Sequence, residues 1–69
     1  MIEVFKTNVQ KVSQANRLIA LLRQYFPDSK INFDLKDRDK ILRVEGVNFM
    51  PEKIALLVND NGFTCMALE

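Results

Sequence analysis

The apolar residues of this chain change their spacing at a proline. From Val12 they recur at Ala15, Leu18, Ile19, Leu22 and Phe26, the stripe of an amphipathic helix. Past Pro27 they alternate: Ile31, Phe33 and Leu35 are separated by Asn32 and Asp34, as in a strand with one buried face. Proline disfavours helical backbone at the residue before it, so the helix ends at or before Phe26. A helical stripe followed at once by a one-sided strand commits the chain to a helix-on-sheet core. With 69 residues there is room for one such core, so residues 1–69 are expected to form a single domain. One cysteine allows no internal disulfide, and packing alone must hold the fold.

The flanking segments extend the pattern. Ile2 to Thr7 is rich in β-branched and aromatic residues and reads as a first strand. Either Ile2 and Val4 or Phe5 and Thr7 face inward, and Lys6 argues for the second choice. Thr7 or Asn8 can cap the helix, with Thr7 and Gln10 spaced as a capping box. After residues 31–35, the polar "KDRDK" of residues 36–40 connects to "ILRVE", where Leu42 and Val44 share a face. So short a link makes a hairpin, and Gly46 ends it. Pro51 suits a first helical position, Ile54, Leu57 and Val58 form a second stripe, and Asn61-Gly62 is a stop. Residues 63–68 then read as a last strand with Phe63, Cys65 and Ala67 on one face. The order β-α-β-β-α-β, with right-handed crossovers, gives an α+β ferredoxin-like sandwich: four antiparallel strands with both helices on one face.

Charge and composition exclude several roles. Net charge is +1, so no overall field draws the chain to nucleic acid. The apolar run "LIALL" at residues 18–22, as long as any in the chain, is far shorter than the ~20 residues of a membrane span. No basic region leads into an apolar run at the start, so no signal peptide is expected and the reading is a cytoplasmic protein. Charge is nevertheless uneven. Between Thr7 and Pro27 stand Lys11, Arg17 and Arg23 and no acid, which makes the first helix a basic element on a neutral chain.

At "PEKIALLVNDNGF", residues 51–63, the chain resembles the heavy-metal-associated domains of copper chaperones and metal-transporting ATPases. Their second helix commonly reads Pro-Glu-Lys-Ile, then apolar residues, then a glycine and an aromatic opening the last strand. Length and element order agree over the whole chain. The resemblance implies a ferredoxin-like fold and a metal loop between strand 1 and helix 1, reading Gly-Met-x-Cys-x-x-Cys. Two soft thiolates three residues apart at a helix N-terminus can hold one ion, and the helix end lowers their pKa. Here Val9 falls at the buried Met position, Lys11 and Gln14 fall at the cysteines, and Asn8 replaces the glycine. A Lys ammonium has no lone pair and a Gln amide is a hard ligand. No cysteine lies near this loop, so the chain resembles a degenerate member without the CxxC site. Phe63, the aromatic after the glycine, is expected to cover the start of helix 1 as core.

Other candidate chemistry fares no better. Cys65 faces inward by alternation and reads as a small buried hydrophobe, although a second chain could complete a metal site through it. Met50 and Met66 lie at opposite ends of the second helix and last strand. The aspartates of "DLKDRDK" lack Ca²⁺-loop spacing and are interleaved with Lys36, Arg38 and Lys40. "NVQKV" echoes the phosphate loop of acylphosphatases, which share this topology. Lys11 stands in place of a needed glycine, however, and Ala15 in place of the arginine. Nucleic-acid binding lacks a Lys/Arg-Gly-Phe-type run on the sheet. With no histidine, activated cysteine or paired carboxylates, no catalysis and no cofactor are expected. What remains is a surface. Lys11, Gln14 and Arg17 recur on the polar side of helix 1, and the resemblance implies docking of a protein partner through this end. The expected role is a protein-interaction or regulatory module. Residual Cu or Zn binding through other ligands, and nucleic-acid binding, are the alternatives.

Overall fold

A computed structural model, describing residues 1–68, gives β1 (Ile2–Thr7), α1 (Val12–Tyr25), β2 (Lys30–Asp34), β3 (Ile41–Glu45), α2 (Pro51–Asp60) and β4 (Cys65–Ala67). The strands form one antiparallel sheet in the order β2-β3-β1-β4, so β1 and β3 are central and β2 and β4 are edges. This is the expected ferredoxin-like α+β fold.

Registry carries the core across the sheet. Phe5 opposes Leu42, Leu42 opposes Phe33, and Ile31 opposes Val44, so these side chains share one face. Ala15, Leu18 and Leu22 of α1 and Ile54 and Val58 of α2 close over that face. Phe5 and Thr7 are buried while Ile2 and Lys6 are exposed, which settles the inward face of β1 as the one Lys6 argued for. Two buried residues come from outside the regular elements: Val9, before α1, and Phe49, before α2. Val9 sits where the resemblance placed a buried residue. Phe49 was not foreseen, because the irregular stretch before Pro51 shows no periodicity from which to infer burial.

Several boundaries differ from the sequence expectation, each for a local reason. The cap of α1 is Lys11, not Thr7 or Asn8. Thr7 is still a strand residue, opposite Cys65, and its hydroxyl is committed elsewhere: it donates to the Lys40 carbonyl and accepts from the Val9 N–H at 3.2 Å. The Gln14 carbonyl oxygen accepts from the Lys11 N–H at 3.2 Å and the Gln10 N–H at 3.4 Å. Gln14, not Gln10, therefore supplies the side chain that satisfies orphan donors. Val12 is 67% exposed, so the buried stripe of α1 starts one turn later, at Ala15. The last strand is shorter than expected because Phe63 N–H donates to the Val58 carbonyl and Thr64 N–H to Asn8 Oδ1, which ties both residues outside the ladder.

The connections have clear chemistry. Pro51 occupies the first turn of α2, Asn61 ends the helix, and Gly62 takes φ +91°, a region costly for residues with a Cβ. At Gly46 a Cβ would meet the Ser29 side chain, so the hairpin end needs the smallest residue there. In the β2–β3 turn, Asp34 accepts from the Lys36 N–H and Asp37 from the Asp39 N–H. These carboxylates serve their own backbone as turn caps.

Candidate functional site

The loop from β1 to α1 lies at the end of the sheet where Thr7 meets the β2–β3 turn. Thr7 N–H donates to the Asp39 carbonyl at 3.0 Å, and the Thr7 hydroxyl reaches Lys40. Lys6 Nζ stands 3.7 Å from the Asp39 carboxylate, the one ion pair among the described residues. Asn8 is held from the other side by Thr64 at 2.8 Å. Val9 then plunges into the core. The loop is thus pinned by hydrogen bonds at both shoulders and a buried side chain in the middle.

Of the three residues singled out in sequence, Lys11 and Arg17 are exposed and Gln14 is half-buried. Gln14 has a structural task, since its amide oxygen caps the helix. Lys11 is the helix cap, with extended backbone at φ −110° and ψ 141°, and its side chain makes no capping bond. It places a cation at the positive end of a 14-residue helix whose first turn holds no acid. Neither Lys11 nor Arg17 has an acidic partner among the described residues. Exposed Val12 stands beside Lys11 on the rim of a groove of about 400 Å³ between α1 and β2, floored by Ala15, Ile19, Phe33 and Leu35. Sequence inspection missed this groove, because it depends on how α1 lies over the edge strand.

The structure brings Cys65 to this loop. Far from the loop in sequence, it is the cross-strand partner of Thr7 and so lies beside the loop's first residue. Burial pushes its thiol up from 9.0 to about 11, so at neutral pH it is a protonated thiol rather than a soft thiolate. Among the described residues no group of three or more His, Cys, Asp or Glu side chains converges as a metal site. Met50 and Met66 are both exposed. Among the described residues no helix is long and apolar enough to cross a membrane. Comparison with protein-family models, curated proteins and solved structures gave no match to this chain.

Proposed function

We propose that this chain is a non-catalytic protein-interaction domain on a metallochaperone-like scaffold, docking an acidic protein surface through the loop before α1 and the first turns of that helix. One observation carries the reading. Lys11 sits at the positive pole of α1, unpaired among the described residues and without a capping bond, at a position where Ser, Thr, Asp or Asn is strongly preferred. The fold gains nothing from a cation there. Gln14 satisfies the Lys11 N–H in place of a capping side chain, but no acid in the first turn offsets the cation, and a local rule broken in this way marks a functional surface. Exposed Val12 and the groove behind it supply the apolar contact that charge steering alone does not. A protonated Cys65 and hard side chains at Lys11 and Gln14 speak against the thiolate chemistry of the resembled family.

The test is affinity capture from the native host, with wild type run beside Lys11→Glu/Arg17→Glu. The expected result is a partner of acidic surface retained by wild type and lost by the double variant, with weaker binding at higher salt. Partners held equally by both proteins would sink the docking face. In parallel, Cu(I) or Zn²⁺ titration under reducing conditions should leave the backbone amide spectrum unmoved. Saturable shifts at residues 7–14 or at Cys65, with stoichiometry near one, would replace docking with metal binding.

A further inference from the structure

The two sheet edges are not alike. β2 carries Lys30 and Asp34, with Lys36 just beyond, and such charges are the usual protection of an exposed edge against pairing. The segment around β4, "FTCMAL" at residues 63–68, contains no charge and no proline. Its central residue, Met66, is 69% exposed on the helix-free face of the sheet, and Leu68 is also exposed on that side.

The hydrogen-bond parity of β4 adds a geometric argument. Leu68 N–H donates to the Val4 carbonyl at 2.8 Å. In an antiparallel ladder, directly opposed residues alternate between pairs that exchange hydrogen bonds and pairs that do not. Phe5 opposes Ala67, Lys6 opposes Met66 and Thr7 opposes Cys65. Leu68 and Met66 are therefore bonded to β1, while Cys65 and Ala67 turn their N–H and C=O groups toward the open edge. Two outward residues flanking Met66 suit a two-fold pairing centred on Met66. In that register Cys65 opposes Ala67 of the second copy, and Ala67 opposes Cys65, each as a pair exchanging both hydrogen bonds. All four outward groups of β4 are then satisfied. Registers centred on Cys65 or Ala67 would leave some of them unpaired within the strand.

We infer that β4 pairs with the β4 of a second copy of this chain, antiparallel about a two-fold axis at Met66, joining two sheets into one. Charge favours this occupant. An uncharged edge meets no like-charge repulsion from its own copy and offers no electrostatic gain to an acidic or basic strand. The two Met66 side chains meet at the axis and each Leu68 lies beside a Thr64, so apolar surface exposed in the monomer becomes covered. The surface is separate from Lys11 and Arg17 and does not depend on the docking reading.

Sedimentation equilibrium of the full chain, from low-micromolar to millimolar concentration, tests the inference. A reversible monomer–dimer equilibrium is expected. Met66→Glu puts two carboxylates together at the axis, each opposite Lys6 within its own sheet, and should weaken dimerisation about tenfold or more without loss of fold. Ala67→Pro removes an N–H that the monomer leaves facing outward, so a folded monomer is again expected. Cys65→Ser/Met66→Cys supplies a positive signal. Directly opposed residues that share no hydrogen bonds stand about 4.5 Å apart at Cα, within disulfide reach, so mild oxidation should give a covalent dimer. The wild-type Cys65, opposite Ala67, should not cross-link. Lys11→Glu/Arg17→Glu should leave the dimer intact. A chain monomeric at all concentrations, or a dimer indifferent to both Met66→Glu and Ala67→Pro, or ready cross-linking through Cys65 itself, overturns the pairing.

Discussion

At the scale of single residues, the most consequential side chain is one the sequence underrates. Thr7 reads as a helix cap, but its hydroxyl joins three parts of the chain: the end of β1, the Val9 N–H and the Lys40 carbonyl of the β2–β3 turn. Thr7→Val keeps the shape and deletes both bonds, leaving a buried donor and acceptor unsatisfied. A loss of about 1–3 kcal/mol is expected. In a domain this small each kcal/mol moves the melting point by about 4–8 °C, so thermal unfolding followed by circular dichroism will read it clearly. An unchanged melting point would mean that water satisfies those groups. Cys65 makes a second prediction at this scale. With the folded thiol pushed up to about 11, the unfolded chain ionises first as pH rises past 9.0. The unfolded state then holds fewer protons than the folded one, so stability falls with rising pH across that window. Below pH 9.0 both states hold the proton and the contribution is fully present. Comparing denaturant midpoints of wild type and Cys65→Ala from pH 8 to 11 isolates the effect: the gap between the two proteins should shift against wild type only above about 9. Alkylation of Cys65 at neutral pH should be correspondingly slow, and a fast reaction would show that the thiol is not buried in solution.

At the scale of elements, α1 shows a conflict between stability and the proposed task. Lys11 has the extended backbone of a helix cap but a side chain that can accept no hydrogen bond. Lys11→Asp installs an acceptor for an orphan N–H and reverses an unfavourable charge at the positive pole, and together these should raise stability by about 1–2 kcal/mol. The same change should weaken partner capture. Opposite movements of melting point and binding are the signature expected of a position kept for function. If Lys11→Asp stabilises the domain and retains the partner, the cation is not needed for docking. The elements themselves were legible where hydrophobic period is strong: the stripes of α1 and α2, the alternation of β2, and the shared face of Leu42 and Val44 all stand in the sequence. Element ends were less legible because they are decided by competition for hydrogen bonds. Thr7 was spent on Lys40 and Asn8 on Thr64, bonds between residues distant in the chain, and Phe63 on the Val58 carbonyl at the end of α2. The proximity of Cys65 to Thr7 is also a product of topology, since they stand 58 positions apart along the chain while β1 and β4 are neighbours.

At the scale of the whole molecule, the fold sets an order of local stabilities. β1 and β3 each have a strand on both sides and bury Phe5, Leu42 and Val44 completely. β4 has one neighbour and three residues. Opening free energies range from near zero at fraying edges to the global value in central strands. In dilute solution the amides of the central β1–β3 ladder should therefore exchange with deuterium only through global unfolding. The amides of Cys65 and Ala67 point outward, away from the ladder, and should exchange quickly despite lying in a strand. The Leu68 amide, bonded to Val4, should be slower than either. This alternation identifies the groups that the edge holds ready for pairing. Raising the protein concentration into the dimer range should slow Cys65 and Ala67 while leaving the central ladder and the amides around Lys11 unchanged. Protection of Cys65 and Ala67 already present at the lowest concentration, in a protein that sediments as a monomer, would show that those amides are bonded within the chain and that the edge is closed.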